Sequence, residues 1–259
     1  NTTIQSIYVT TNGSLPDRAE SFAKEITAYD PNMELTFQIS IDDMPERHDE
    51  VRKIKGLFKN CIETYKKLKK INNVSPVVSI TVTQENCDNI EKIFNFLHYD
   101  SKIESIKCTL VRDEGVYKTP LDKKNKILEA YNWLTNTIEK FSNNKSLINY
   151  NTKSLQGRLH RKKDSISWKM IKEMYITPKY ISMCYAGKLF GIIAANGSVY
   201  PCEILENKKL GELRNNDMNF LKMWNSNENK EIKKFIKDTK CNCTYECALS
   251  YNVLGNYRY

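Results

Sequence analysis

Four short β-prone runs in the first half of the chain are each followed by a longer stretch in which apolar positions recur at helical spacing. The strand runs are Ser6 to Thr10, Leu35 to Ile41, Val77 to Val82 and Ile103 to Val111. The helical stretches are Asp17 to Ala28, about Glu46 to Ile71, Asp88 to Leu97 and about Asp122 to Phe141. Strands alternating with helices of ten or more residues predict parallel βαβ units. Within them Ile39, Ile41, Ile80 and Val82 stand at alternate strand positions. Residues 143 to 164 are polar, basic and without apolar period, so they read as a linker or substrate-facing loop.

Farther along, Phe190, Ile192, Ala194 and Val199 flank Ala195-Asn196-Gly197-Ser198. Asn-Gly between two β-prone runs predicts a tight hairpin. Cysteines stand on both sides of it, Cys184 before and Cys202 after. An amphipathic helix expected over Glu228 to Lys237 precedes Cys241, Cys243 and Cys247, spaced C-x-C-x-x-x-C on an expected loop. Five of the eight cysteines thus lie from residue 184 onward and offer five thiols for the four places of one metal site.

Four thiolates suit an iron–sulfur cluster or tetrahedral zinc. Zinc ribbons pair C-x-x-C knuckles, and the sequence contains none. Disulfides are a third reading, disfavoured by a Lys- and Asn-rich chain with no evident signal peptide. Cys61, Cys87 and Cys108 fall on expected helices or strands and read as small buried groups.

At 259 residues the chain can bury one large core or two smaller ones. No apolar run reaches 18 residues, so a membrane span is not expected. The net charge of +9 is spread along helices, as in Lys66-Lys67-Leu68-Lys69-Lys70, without interleaved aromatics. That pattern describes solvated helix faces better than a nucleic-acid groove, and no nucleic-acid partner is expected.

Thr10-Thr11-Asn12-Gly13, Ile39-Ser40-Ile41-Asp42-Asp43, Glu46-Arg47-His48-Asp49, Arg52 through Gly56, Thr81-Val82-Thr83 with Asn86, and Leu110-Val111-Arg112 together resemble the middle of a radical S-adenosylmethionine enzyme. From Cys184 the chain resembles that family's SPASM or twitch extension: Cys184, twelve residues, Gly197, four residues, Cys202, then Leu210-Gly211-Glu212-Leu213 and Trp224. The resemblance implies an α/β fold. A partial (β/α) barrel of parallel strands would fill 1–142, with Ile39, Ile41, Ile80 and Val82 toward its interior, 143–183 would be a linker or substrate-facing loop region, and a small α+β cysteine-rich domain with a β-hairpin would fill 184–259.

The family's C-x3-C-x2-C loop does not occur in the sequence, nor does its Gly-Gly-Glu-Pro segment. The chain is therefore expected to be an amino-terminally truncated fragment, inactive by itself. Its parent would hold S-adenosylmethionine at a second [4Fe–4S] cluster, cleave it reductively to a 5′-deoxyadenosyl radical, and abstract hydrogen from a peptide or small-molecule substrate. A flavodoxin- or ferredoxin-type donor and a cytoplasmic location are also implied.

By the same resemblance Cys184, Cys202 and Cys247 match auxiliary [4Fe–4S] ligands, and the fourth is Cys243 or Cys241. Cys243 is preferred, on the expectation that a C-x-C pair would crowd neighbouring irons if both thiols served. Ser40 would lie against the amino-acid end of the cofactor and Arg52 would neutralise its carboxylate. Glu203 falls where some peptide-modifying relatives place a catalytic base. His48 and Asp49 are adjacent on a helix start and cannot face one another, so Asp49 reads as a first-turn acid favoured by the helix dipole. A non-catalytic binding module with a structural four-cysteine site, zinc or iron–sulfur, is the alternative function.

Overall fold

The computed structural model describes residues 4–114, 122–150 and 154–256 and divides into two compact units. The first comprises Asn1–Val111 with Asp122–Asn151, the second Arg112–Leu121 with Thr152–Tyr259.

The first unit is built on strands β1 (Ser6–Thr11), β2 (Glu34–Ser40), β3 (Val74–Val82) and β4 (Ile106–Leu110), all parallel and hydrogen-bonded in that order. Helices α1 (Pro16–Tyr29), α2 (Pro45–Arg52), α3 (Leu57–Leu68), α4 (Ile90–Asn95) and α5 (Lys124–Asn143) complete it. Pro16 opens α1, where its fixed φ suits a first turn and its missing N–H costs nothing. Lys67 of α3 reaches both Asp17 and Glu20 of α1 and ties the two helices together.

The alternation along the strands sorts the sheet into two faces. Leu35, Phe37, Ile39, Val78, Ile80, Val82 and Ile106 are buried. The helices pack on that face: Phe22 of α1 meets Phe37 edge-on, and Ile39 and Cys61 of α3 both crowd Gly13. The barrel-interior assignment of Ile39, Ile41, Ile80 and Val82 is therefore corrected; all four are fully buried, and the strand positions among them belong to the helix-covered side. The opposite face carries Thr36, Gln38, Ser40, Ser79, Thr81, Lys107 and Thr109, where Ser79 and Thr109 hydroxyls stand 3.3 Å apart. Helices cover the apolar face, so the polar set marks the other side.

The single helix expected over Glu46 to Ile71 is two. Lys53 and Gly56, at φ 56° and 79°, take left-handed backbone between α2 and α3, a conformation glycine adopts without strain. Asp49 does not sit in the first turn of α2. Its carboxylate accepts the N–H groups of Gly56 and Phe58 (2.8 Å to the latter) and so caps the start of α3. Those contacts, Phe58 first, hold its pKa below the ordinary value against burial. A depressed carboxylate adds stability above its unfolded pKa that is lost as pH falls through the folded value. Asp49→Asn is expected to lower stability at neutral pH and to flatten the loss below about pH 4, measured by denaturant midpoints across pH. A wild-type acid profile in the variant would contradict the capping role.

The second unit holds α6 (Leu155–Ile176), an antiparallel sheet of β5 (Ile192–Ile193), β6 (Ser198–Tyr200) and β7 (Gly211–Glu212), and helices α7 (Phe220–Trp224), α8 (Asn227–Asp238) and α9 (Glu246–Gly255). The expected hairpin is present: Ile193 pairs with Val199, and Gly197 turns at φ 89°. Part of the expected linker is instead the 22-residue α6, capped where the Ser154 hydroxyl accepts the Gly157 N–H. Its second half buries Met170, Ile171 and Met174, while Leu155 and Leu159 in the first half are exposed.

Candidate metal centre

The core of the second unit gathers Ala186, Val199, Leu210, Leu213, Met223, Ile232 and Ile236 round the hairpin, with Cys202 buried among them and Cys184 and Cys241 packed against it. Asn229 of α8 fixes this arrangement from inside, its amide donating to the carbonyls of Gly187 (2.9 Å) and Trp224 (2.6 Å). Gly191 lies so near the Trp224 ring that a Cβ there would stand 2.6 Å from it. Asn252 of α9 accepts the Tyr185 N–H at 2.9 Å and holds the backbone beside Cys184.

Cys184, Cys202, Cys241 and Cys243 line one cavity, closed by Met170 and Met174 of α6, Ile204, Leu205 and Leu249. Both thiols of the C-x-C pair line this cavity. Residues 241–245 are irregular and outside any helix. Cys247 is not among the lining residues; it is exposed in the first turn of α9 and hydrogen-bonds with the Tyr245 hydroxyl. All eight cysteines are free thiols, and Cys61, Cys87 and Cys108 are buried.

Burial pushes the Cys184, Cys202 and Cys243 thiols up. It takes Cys241 to about 11, with Cys184, Cys202 and Glu114 adding to the effect. Unloaded, these sulfurs keep their protons, and binding of metal must expel them. Among the described residues no three His, Cys, Asp or Glu side chains are arranged to hold a single ion. Four thiols that line one cavity are a donor set suited to an iron–sulfur cluster or to tetrahedral zinc.

A polar group borders the cavity. Glu203, next to Cys202, pairs with Arg112 at 3.6 Å, and the Arg112 guanidinium lies 4.6 Å from the Tyr245 ring centre. Burial raises the Tyr245 phenol, reinforced by Cys247 and Glu203. Glu114, Tyr245 and the two methionines gave no signal in the sequence, because only the fold brings them beside the cysteines, and Arg112 stood out only at the end of Leu110-Val111-Arg112.

In the first unit, Ser40 stands at the carboxyl end of β2, half-buried. Arg52 pairs with Asp42 just beyond it, while Asp42 also accepts the Thr81 N–H at 2.9 Å. Asn86 donates to the carbonyls of Asp42 and Thr81, both at 2.8 Å, locking together the ends of β2 and β3. His48 is buried with its pKa lowered by that burial, and its Nε2 lies 4.0 Å from the Cys61 sulfur.

Residues 184–248 match the SPASM family, an iron–sulfur cluster-binding domain. The chain is 24% identical over 187 residues to the sporulation killing factor maturation protein SkfB of Bacillus subtilis (strain 168), a match that covers 71% of this chain and 39% of that protein. A native anSMEcpe structure with bound AdoMet matches at a TM-score of 0.59 and 17% identity, over 93% of this chain and 63% of that one. Residues 184–248 are thus similar to a SPASM domain, and the chain shares the fold of an AdoMet-bound enzyme structure. A second anSMEcpe structure, with AdoMet and the Kp18Cys peptide, matches at a TM-score of 0.55 and 18% identity, over 93% of this chain and 64% of the other. At such identities the likeness to the solved structures is one of fold. The chain spans 39% of the length of the curated relative.

Proposed function

We propose that this chain supplies an auxiliary [4Fe–4S] site and part of the cofactor-facing sheet of an enzyme that modifies a peptide. The convergence of Cys184, Cys202, Cys241 and Cys243 on one apolar cavity carries the reading. The SPASM match, the maturation role in the SkfB name, and neighbours holding AdoMet with and without peptide support it. When bound, the cluster supplies one-electron chemistry or an anchor for substrate. Cys247 stays outside the ligand set.

Glu203 would take a proton from the substrate at its carboxylate, oriented by Arg112 and Tyr245. Ser40 and Arg52 would face the amino-acid end of S-adenosylmethionine. Arg52 would then exchange one carboxylate partner, Asp42, for another. A flavodoxin- or ferredoxin-type protein would donate electrons. Among the described residues no helix is long and apolar enough to cross a membrane.

The sequence has no C-x3-C-x2-C loop, and this favours a second reading in which the four-cysteine site is structural in a binding module. Redox behaviour separates the two. Protein reconstituted anaerobically with iron and sulfide is expected to be brown, to bleach with a strong reductant and to recolour on reoxidation. These 259 residues alone are expected to release no 5′-deoxyadenosine from S-adenosylmethionine. Colour that no reductant changes would count against electron transfer, and release of 5′-deoxyadenosine would show that cleavage needs no such loop.

A further inference from the structure

Glu114 lies 130 positions from Thr244 in sequence, yet its carboxylate accepts hydrogen bonds from both the backbone and the side chain of that residue. The Thr244 N–H reaches Oε2 at 2.9 Å and Oε1 at 3.2 Å, and the Thr244 hydroxyl donates to Oε2 at 3.0 Å. Thr244 is buried and directly follows Cys243. Through Thr244 the carboxylate is held next to Cys243, on the loop that carries both of the cavity thiols Cys241 and Cys243. A loop without regular secondary structure otherwise has few ways to fix two sulfurs.

We infer that Glu114 is a positioning residue for the auxiliary cluster: it clamps the Cys241–Cys243 loop through Thr244 and sets a negative charge beside the cluster that lowers its reduction potential. The inference rests on the cluster reading above. Hydrogen bonds to an ionised acceptor are the stronger kind, so the clamp holds the loop better than a neutral side chain would. A nearby carboxylate disfavours adding an electron, because the cluster's potential follows the net charge around it.

The full chain carries the test in Glu114→Gln and Thr244→Ala. In Glu114→Gln the Thr244 amide is expected to exchange at least about tenfold faster than in wild type, in loaded and iron-free protein alike. Its midpoint potential, from a dye-mediated titration, is expected to shift upward. Thr244→Ala keeps the charge and is expected to hold the wild-type potential. Unchanged amide exchange in Glu114→Gln overturns the clamp, even when that variant or the wild type binds no iron. An unchanged potential in an iron-loaded Glu114→Gln protein overturns the electrostatic role. Wild type without iron would defeat the cluster reading while leaving the exchange result to decide the clamp.

Discussion

Cys202→Ala protein, reconstituted anaerobically, is expected to carry less than about one iron per chain where wild type carries about four. Cys184→Ala, Cys241→Ala and Cys243→Ala should do the same, since each removes one wall of a shared cavity as well as one thiol. Cys247→Ala is expected to keep its iron, because that thiol is exposed on α9 and engaged with Tyr245. The set distinguishes ligand schemes that the spacing leaves equal. Iron analysis of the five variants decides it: loss in Cys247→Ala with retention in Cys241→Ala would mean that α9 turns its first residues inward on loading.

Phe37→Ala is expected to cost about 3–5 kcal/mol, because Phe37 is 2% exposed and meets Phe22 edge-on under α1. Its neighbour Gln38 lies on the polar face and is half-buried, and Gln38→Ala is expected to change stability by no more than about 0.5 kcal/mol. Denaturant midpoints of the two variants read the orientation of β2 directly. Equal costs would mean that the two faces of the sheet are not distinguished as described.

Much of this architecture was legible in residues that act locally. The four β-prone runs mark β1 to β4, and Asn196-Gly197 marks its hairpin, because strand alternation and a left-handed glycine are decided by near neighbours. The face of the strands was not legible. Ile39 and Ile80 alternate in the same way whether helices lie on one side or the other, and only contacts such as Ile39 beside Gly13 and Cys61 settle it. The break at Gly56 was visible as a glycine but hidden inside a run of good helix formers; Asp49, reaching forward to Phe58, makes it a boundary. Helix α6 escaped because its first half leaves Leu155 and Leu159 exposed among basic residues, which erases the apolar period.

The cysteines show the same division. Their number and the C-x12-G-x4-C spacing pointed to a cluster, and the SPASM match covers those residues. Which four line the cavity is not written in the spacing, because the segments carrying them meet long-range partners, Glu114 at Thr244 and Asn252 at Tyr185.

Metal and sulfide content of the anaerobically reconstituted wild-type chain tests the central claim most directly. Four thiols round one cavity predict about four irons and about four acid-labile sulfides per chain, without stoichiometric zinc. One tightly held zinc per chain, with neither iron nor sulfide, would contradict it.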